Sequence, residues 1–189
     1  MPVFFTDAEY AVVAAACERL IPADPQLGAP GATRAGVADY IDQLLGAFSF
    51  DPPRIWAGGP FSGRRGGEAR FEAFLELSPL EELAWRIRIE GSRGIPEREF
   101  NGPVIGLQER YRAGLEALGA DFASCDGPEQ DARLDAVPEF KALLYEHACE
   151  GLYGDPVYGG NRDQVGWRFI AFPGDAQPRG YTDTEVSEP

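Results

Sequence analysis

Apolar residues recur along this chain mostly at the three- and four-residue steps of an α-helix. Thr6-Asp7-Ala8-Glu9 has the spacing of a capping box and predicts a helix from Thr6 as N-cap to about Leu20. Val13, Cys17 and Leu20 would face inward, and Pro22 would end the helix. A loop rich in Pro, Gly and Ala runs to about Arg34. The strongest stripe follows, with Val37, Tyr40, Ile41, Leu44, Leu45 and Phe48 on one face and Asp39 and Asp42 off it. Residues 51–67 read as a second loop, and Phe71, Phe74 and Leu75 as a short helix. Ser78-Pro79 with Glu81 three residues on is a further start signal, for a helix burying Leu80, Leu83, Ala84 and Ile87 and stopped by Gly91. A long helix over 102–118 would turn Val104, Leu107, Tyr111, Leu115 and Leu118 inward and end at Gly119. After an acidic loop, Pro138 opens the last helix, with Phe140, Leu143, Leu144, His147 and Ala148 on one face.

From Gly151 the character changes to turn chemistry. Six glycines and two prolines lie between Gly151 and Gly174, interleaved with Tyr153, Tyr158, Trp167, Phe169 and Phe172. The prediction is an all-α fold: a single domain of about six helices over 1–174, closed by an irregular, aromatic- and Gly-rich C-terminal cap. A polar tail over 175–189 follows. No repeat and no second core are visible.

Composition narrows the function. The 189 residues are 44% apolar and 25% charged, which is globular usage, and a chain of this size buries roughly 70% of its unfolded surface. Thirty-one acids against seventeen bases give a net charge of −14, so a phosphate backbone would be repelled and nucleic acid is not an expected partner. Residues 51–100 are almost neutral, with nine acids and eight arginines. No apolar run approaches the roughly 20 residues of a membrane helix, so membrane insertion is not expected. The N-terminal residues show no basic segment and no twin arginine. The expectation is a cytoplasmic chain, or one exported with a partner or after loss of a leader.

Candidate chemistry is sparse. His147 is the single histidine and lies on an apolar face, where a packed core imidazole with one hydrogen-bond partner is the expected role. His147 and Cys149 point to different helix faces and cannot share an ion. Cys17, Cys125 and Cys149 form no metal spacing and read as three thiols, or as one disulfide and a thiol. Gly63-Arg-Arg-Gly-Gly67 is neither a P-loop nor a dinucleotide fingerprint. No catalytic, cofactor-binding or metal-binding residue is therefore assigned. The aromatic cap is the remaining candidate, because Tyr and Trp anchor interfaces at low entropic cost.

The run Tyr153-Gly-Asp-Pro-Val-Tyr-Gly-Gly-Asn161, then Gly166-Trp167 and Phe172-Pro-Gly174, resembles the gluconate 2-dehydrogenase subunit 3 family. Upstream, Leu20-Ile21-Pro22-Ala23-Asp24 and the Gly31 to Asp42 segment resemble it in order. The resemblance implies a non-catalytic accessory, or small, subunit. Its partner would be a large dehydrogenase of the glucose-methanol-choline (GMC) type that holds FAD and oxidises a sugar, sugar acid or glycoside. Electrons in such complexes often pass to a cytochrome c subunit. The small subunit would help the large one fold, bind flavin or be exported, in a chaperone-like role. The expected partner interface is Tyr153, Tyr158, Asn161, Trp167 and Phe172, together with the arginine-bearing 51–70 loop. Two other readings stay open: a stand-alone binding or scaffold protein, and a small enzyme using His147.

Overall fold

Both capping boxes form as their sequences dictate. Thr6 N–H donates to Glu9 at 2.8 Å while Glu9 N–H returns to Thr6 Oγ1 at 3.2 Å, opening α1 (Asp7–Leu20). Ser78 and Glu81 make the same exchange ahead of α4 (Pro79–Glu90), with Pro79 at the position where its missing N–H is not needed. These elements belong to a computed structural model that describes residues 1–55 and 77–173. The helix expected around Phe71 and Phe74, the Gly63–Gly67 loop and the 175–189 tail lie outside the described residues.

Among the described residues there are eight α-helices and no strand, an all-α single domain. Between α1 and α4 come α2 (Gly31–Ala35) and α3 (Val37–Leu45); after α4 come α5 (Leu107–Leu118), α6 (Gly127–Asp135), α7 (Pro138–Tyr153) and α8 (Val165–Phe169). One core joins them. Val13, Cys17, Val37, Ile41, Leu45, Tyr111, Phe122, Leu134 and Leu144 are all buried in it. The expected face of α7 is buried in full, from Phe140 to Ala148.

Several expectations are corrected. Three helices, α2, α6 and α8, were not foreseen. The first is five residues of mainly glycine and alanine chemistry, too short to show a period. The second sits in the presumed acidic loop, where the Asp126 side chain accepts from Glu129 N–H at 3.0 Å and Pro128 fills the first turn. The third follows two 3-10 turns, Pro156–Tyr158 and Arg162–Gln164, inside what read as turns alone, so α7 is not the last helix. Helix α5 begins at Leu107 rather than 102, and Val104 is exposed on the loop before it. Leu80 and Ala84 of α4 are exposed, and the core side is carried by Trp85 and Ile89. Apolar residues encircle α4, so its period had no unique answer.

Asp42 is the most informative correction. Expected off the apolar face, it is buried, and its carboxylate accepts from the backbone N–H of Val3 at 2.6 Å, Phe4 at 3.0 Å and Phe5 at 2.9 Å. The N-terminal segment is thereby fixed across α3, and Phe5 is delivered into the core beside Tyr111.

Candidate functional site

A helix leaves its last four carbonyls without intrahelical partners. At the end of α7 the aromatic, Gly-rich segment supplies donors to them. Asn161 N–H donates to Gly151 O at 2.6 Å, Trp167 Nε1–H to Tyr153 O at 2.7 Å, and Asn161 Nδ2 to Gly154 O at 2.9 Å. Gly166 N–H closes the ring by donating to Asn161 Oδ1 at 2.9 Å. Asn161 sits in the left-handed region (φ 43°, ψ 41°), which asparagine tolerates better than most residues, and is fully buried.

The glycines are set by contact distance. A Cβ on Gly160 would lie 2.2 Å from Gly151 O, and one on Gly166 would lie 1.9 Å from Leu152 O. No side chain fits at either place. The Gly-Gly-Asn and Gly-Trp elements are thus the clamp that folds the chain back onto the end of α7.

A polar cluster ties this clamp to the other helices. The Arg162 guanidinium pairs with Asp39 in the first turn of α3, and Tyr10 Oη–H donates to the same carboxylate at 2.6 Å. Burial, then the bond to Asp39, pushes the Tyr10 hydroxyl well above its ordinary range, so it stays a donor. Nearby, Tyr40 Oη–H donates to Glu150 at 2.7 Å, joining α3 to α7.

The five expected interface residues divide by position. Asn161 and Trp167 (4% exposed) are interior and hold the clamp. Tyr158 is half-buried on its 3-10 turn against α3. Tyr153 and Phe172 reach the surface, and Phe172 packs edge-on against the Trp167 indole at 5.3 Å between centroids. The indole therefore brings Tyr153 and Phe172 together, and Asn161 is tied to the same segment through Gly166. Phe169, one of the aromatic residues of the cap, and Ile170, which was not singled out, are also exposed at the end of α8. Their signal was present as an apolar pair after Gly166-Trp167. Most of the 51–70 loop lies outside the described residues.

His147 is 1% exposed, shares a 2.8 Å hydrogen bond between Nδ1 and the Tyr111 hydroxyl, and is pushed down to about 4 by burial. This is the packed, neutral imidazole that its position on α7 implied. All three cysteines are thiols, with Cys17 buried. Among the described residues no group of three or more His, Cys, Asp or Glu side chains could hold a metal ion. No described helix is long and apolar enough to cross a membrane.

Comparison with curated proteins and with solved structures gave no match. Comparison with protein families did: the family described as gluconate 2-dehydrogenase subunit 3 matches residues 7–174, from the first turn of α1 through the whole clamp. The chain belongs to the gluconate 2-dehydrogenase subunit 3 family, a subunit of an oxidoreductase complex.

Proposed function

We propose that this chain is a non-catalytic accessory subunit that binds and stabilises a large, FAD-dependent GMC-type dehydrogenase acting on a sugar, sugar acid or glycoside. The flavin belongs to that partner, and a cytochrome c subunit is the proposed electron outlet. The observation that carries the reading is the family match over 7–174. Two features of the chain support it. Its single histidine is enclosed and engaged by Tyr111, so it offers no route to a substrate. The clamp presents Tyr153, Phe169, Ile170 and Phe172 to solvent at one end of α8, an apolar surface suited to a protein partner.

The test is co-expression with an FAD-dependent GMC-type dehydrogenase from the same genome, affinity capture of this chain, and a visible spectrum. A stoichiometric, flavin-coloured partner is expected. A lone, colourless chain overturns the reading. Tyr153→Ala and Phe172→Ala then address the surface, since both side chains are partly exposed and leave the hydrogen bonds of the clamp intact.

A further inference from the structure

Tyr111 of α5 and His147 of α7 form a phenol–imidazole pair in the core that the accessory role leaves without a task. Both side chains are buried, and the tyrosine hydroxyl lies 2.8 Å from Nδ1. Which group donates follows from what else the hydroxyl touches. Among the described residues His147 is its one hydrogen-bond partner. Were the proton on Nδ1, the tyrosine O–H would be buried with no acceptor, at the full cost of desolvating it. Tyr111 is therefore the donor, and the Nδ1 lone pair the acceptor. The protonation states agree. Burial pushes the Tyr111 hydroxyl well above its ordinary range and the imidazole down to about 4. At neutral pH the phenol thus holds a proton that the imidazole is free to take.

A phenol that gives up an electron becomes a strong acid. Its oxidation is easiest where a base already waits on the hydrogen bond. The surroundings of the pair suit such a step. Phe140 meets the Tyr111 ring edge-on at 5.4 Å, Phe5 lies 6.0 Å away, and the imidazole plane is within 3° of parallel to the phenol. Close packing holds donor and acceptor in place, so little has to move as the proton crosses. The way to the surface is short. Half-buried Phe4 packs on Phe5 at 5.1 Å, with the Arg112 guanidinium over its ring. Tyr10 and Tyr40 also face bases, the carboxylates of Asp39 and Glu150, but both are only part-buried. Among the described tyrosines only Tyr111 joins a base to full enclosure, where a radical is kept from solvent and from other chains.

We infer that Tyr111 and His147 form a one-electron donor site, serving a high-potential, metal-centred oxidant that meets the protein surface. Tyr111 passes one electron to the oxidant, which is reduced by one unit, and its phenolic proton to Nδ1 of His147. The O–H bond breaks, an N–H bond forms, and a neutral tyrosyl radical beside an imidazolium remains. A one-electron reductant of the ascorbate class restores the phenol as the proton returns from Nδ1. The site belongs to the chain itself and stands whether or not a dehydrogenase is bound. The experiment generates a ruthenium(III) polypyridyl oxidant by laser flash in a solution of the purified full chain. Absorbance and electron paramagnetic resonance follow the radical. His147 is the single histidine of the sequence, so histidine carrying the heavy nitrogen isotope labels this site alone. A long-lived tyrosyl signal that changes with the label is expected. It should vanish in Tyr111→Phe and form about 100-fold more slowly in His147→Gln, the size of effect a positioned base has on proton transfer. A persistent signal in Tyr111→Phe, or an unchanged rate in His147→Gln, overturns the inference. Should either variant fail to fold, the labelled wild type decides: no long-lived radical, or one whose spectrum ignores the isotope, overturns it as well.

Discussion

The indole of Trp167 donates its single N–H to the carbonyl of Tyr153 over 2.7 Å, joining α8 to the last turn of α7. Trp167 is therefore a structural residue in a surface-facing segment. Trp167→Phe keeps most of the packing and leaves the Tyr153 carbonyl unmet, and should lower stability by about 1–2 kcal/mol. Trp167→Ala should cost about 3–5 kcal/mol, as core aromatic truncations do. Urea unfolding of the two variants checks the ordering. Equal stability of wild type and Trp167→Ala would show that the clamp is not formed.

Asn161 and Gly166 should be harsher positions. Asn161→Ala removes the acceptor of Gly166 N–H and the donor to Gly154 O, and sets alanine in the left-handed region. A loss of about 3 kcal/mol is expected from two unmet buried groups and the backbone conformation. Gly166→Ala drives a methyl into Leu152 O and should displace the whole segment. Amide exchange is the measurement: in both variants protection should fall after residue 153 first, while α1, α3 and α5 keep theirs.

Asp42 holds residues 3–5 through three backbone donors. Asparagine at this position presents one acceptor oxygen and one amide of the wrong polarity. Asp42→Asn should cost about 2–4 kcal/mol and free the N-terminal residues to early exchange and proteolysis. Limited proteolysis with mass detection reads this directly. Cleavage before residue 6 at the wild-type rate would contradict it.

His147 gives stability a defined pH dependence. Its folded value is lowered to about 4 by burial, against an ordinary value of 6.5. The unfolded chain thus binds more protons between these limits. The contribution of His147 is fully present above about pH 6.5 and is lost as the pH falls toward about 4. The loss should approach about 3 kcal/mol. Urea midpoints at pH 7.5 and 4.5 should differ accordingly, and His147→Gln should flatten that portion of the difference.

Legibility followed the size of the apolar signal. Helices α1, α3, α5 and α7 carry full stripes or box-like caps: the face of α7 was readable residue by residue, while α5 kept its stripe from Leu107 but not Val104, and α3 hid a buried Asp42. Helix α6 buries little beyond Leu134 and Gln130, so its Asp126 cap was hidden in an acidic stretch. Asp42 could not be read from α3, because its partners are backbone groups 37 to 39 residues away. The clamp shows a related limit. Its residues stood out as a motif, but a run of rings and glycines has the same appearance whether it faces a partner or its own helix end. Only the distances from Asn161 and Trp167 to the α7 carbonyls separate the two.

Cys17 offers one last consequence. It lies in the last turn of α1, 1% exposed, and burial raises its thiol far above the ordinary range. Only a thiolate alkylates readily, so the native chain shields this sulfur twice, by access and by charge. Cys125 and Cys149 sit nearer the surface. The molecule thus carries its own chemical clock: with the outer thiols blocked first, the rate at which Cys17 takes up iodoacetamide reports how often the helical core opens. The same clock, read in the presence and absence of a bound partner, would measure how much that partner steadies the fold, with no foreign label attached.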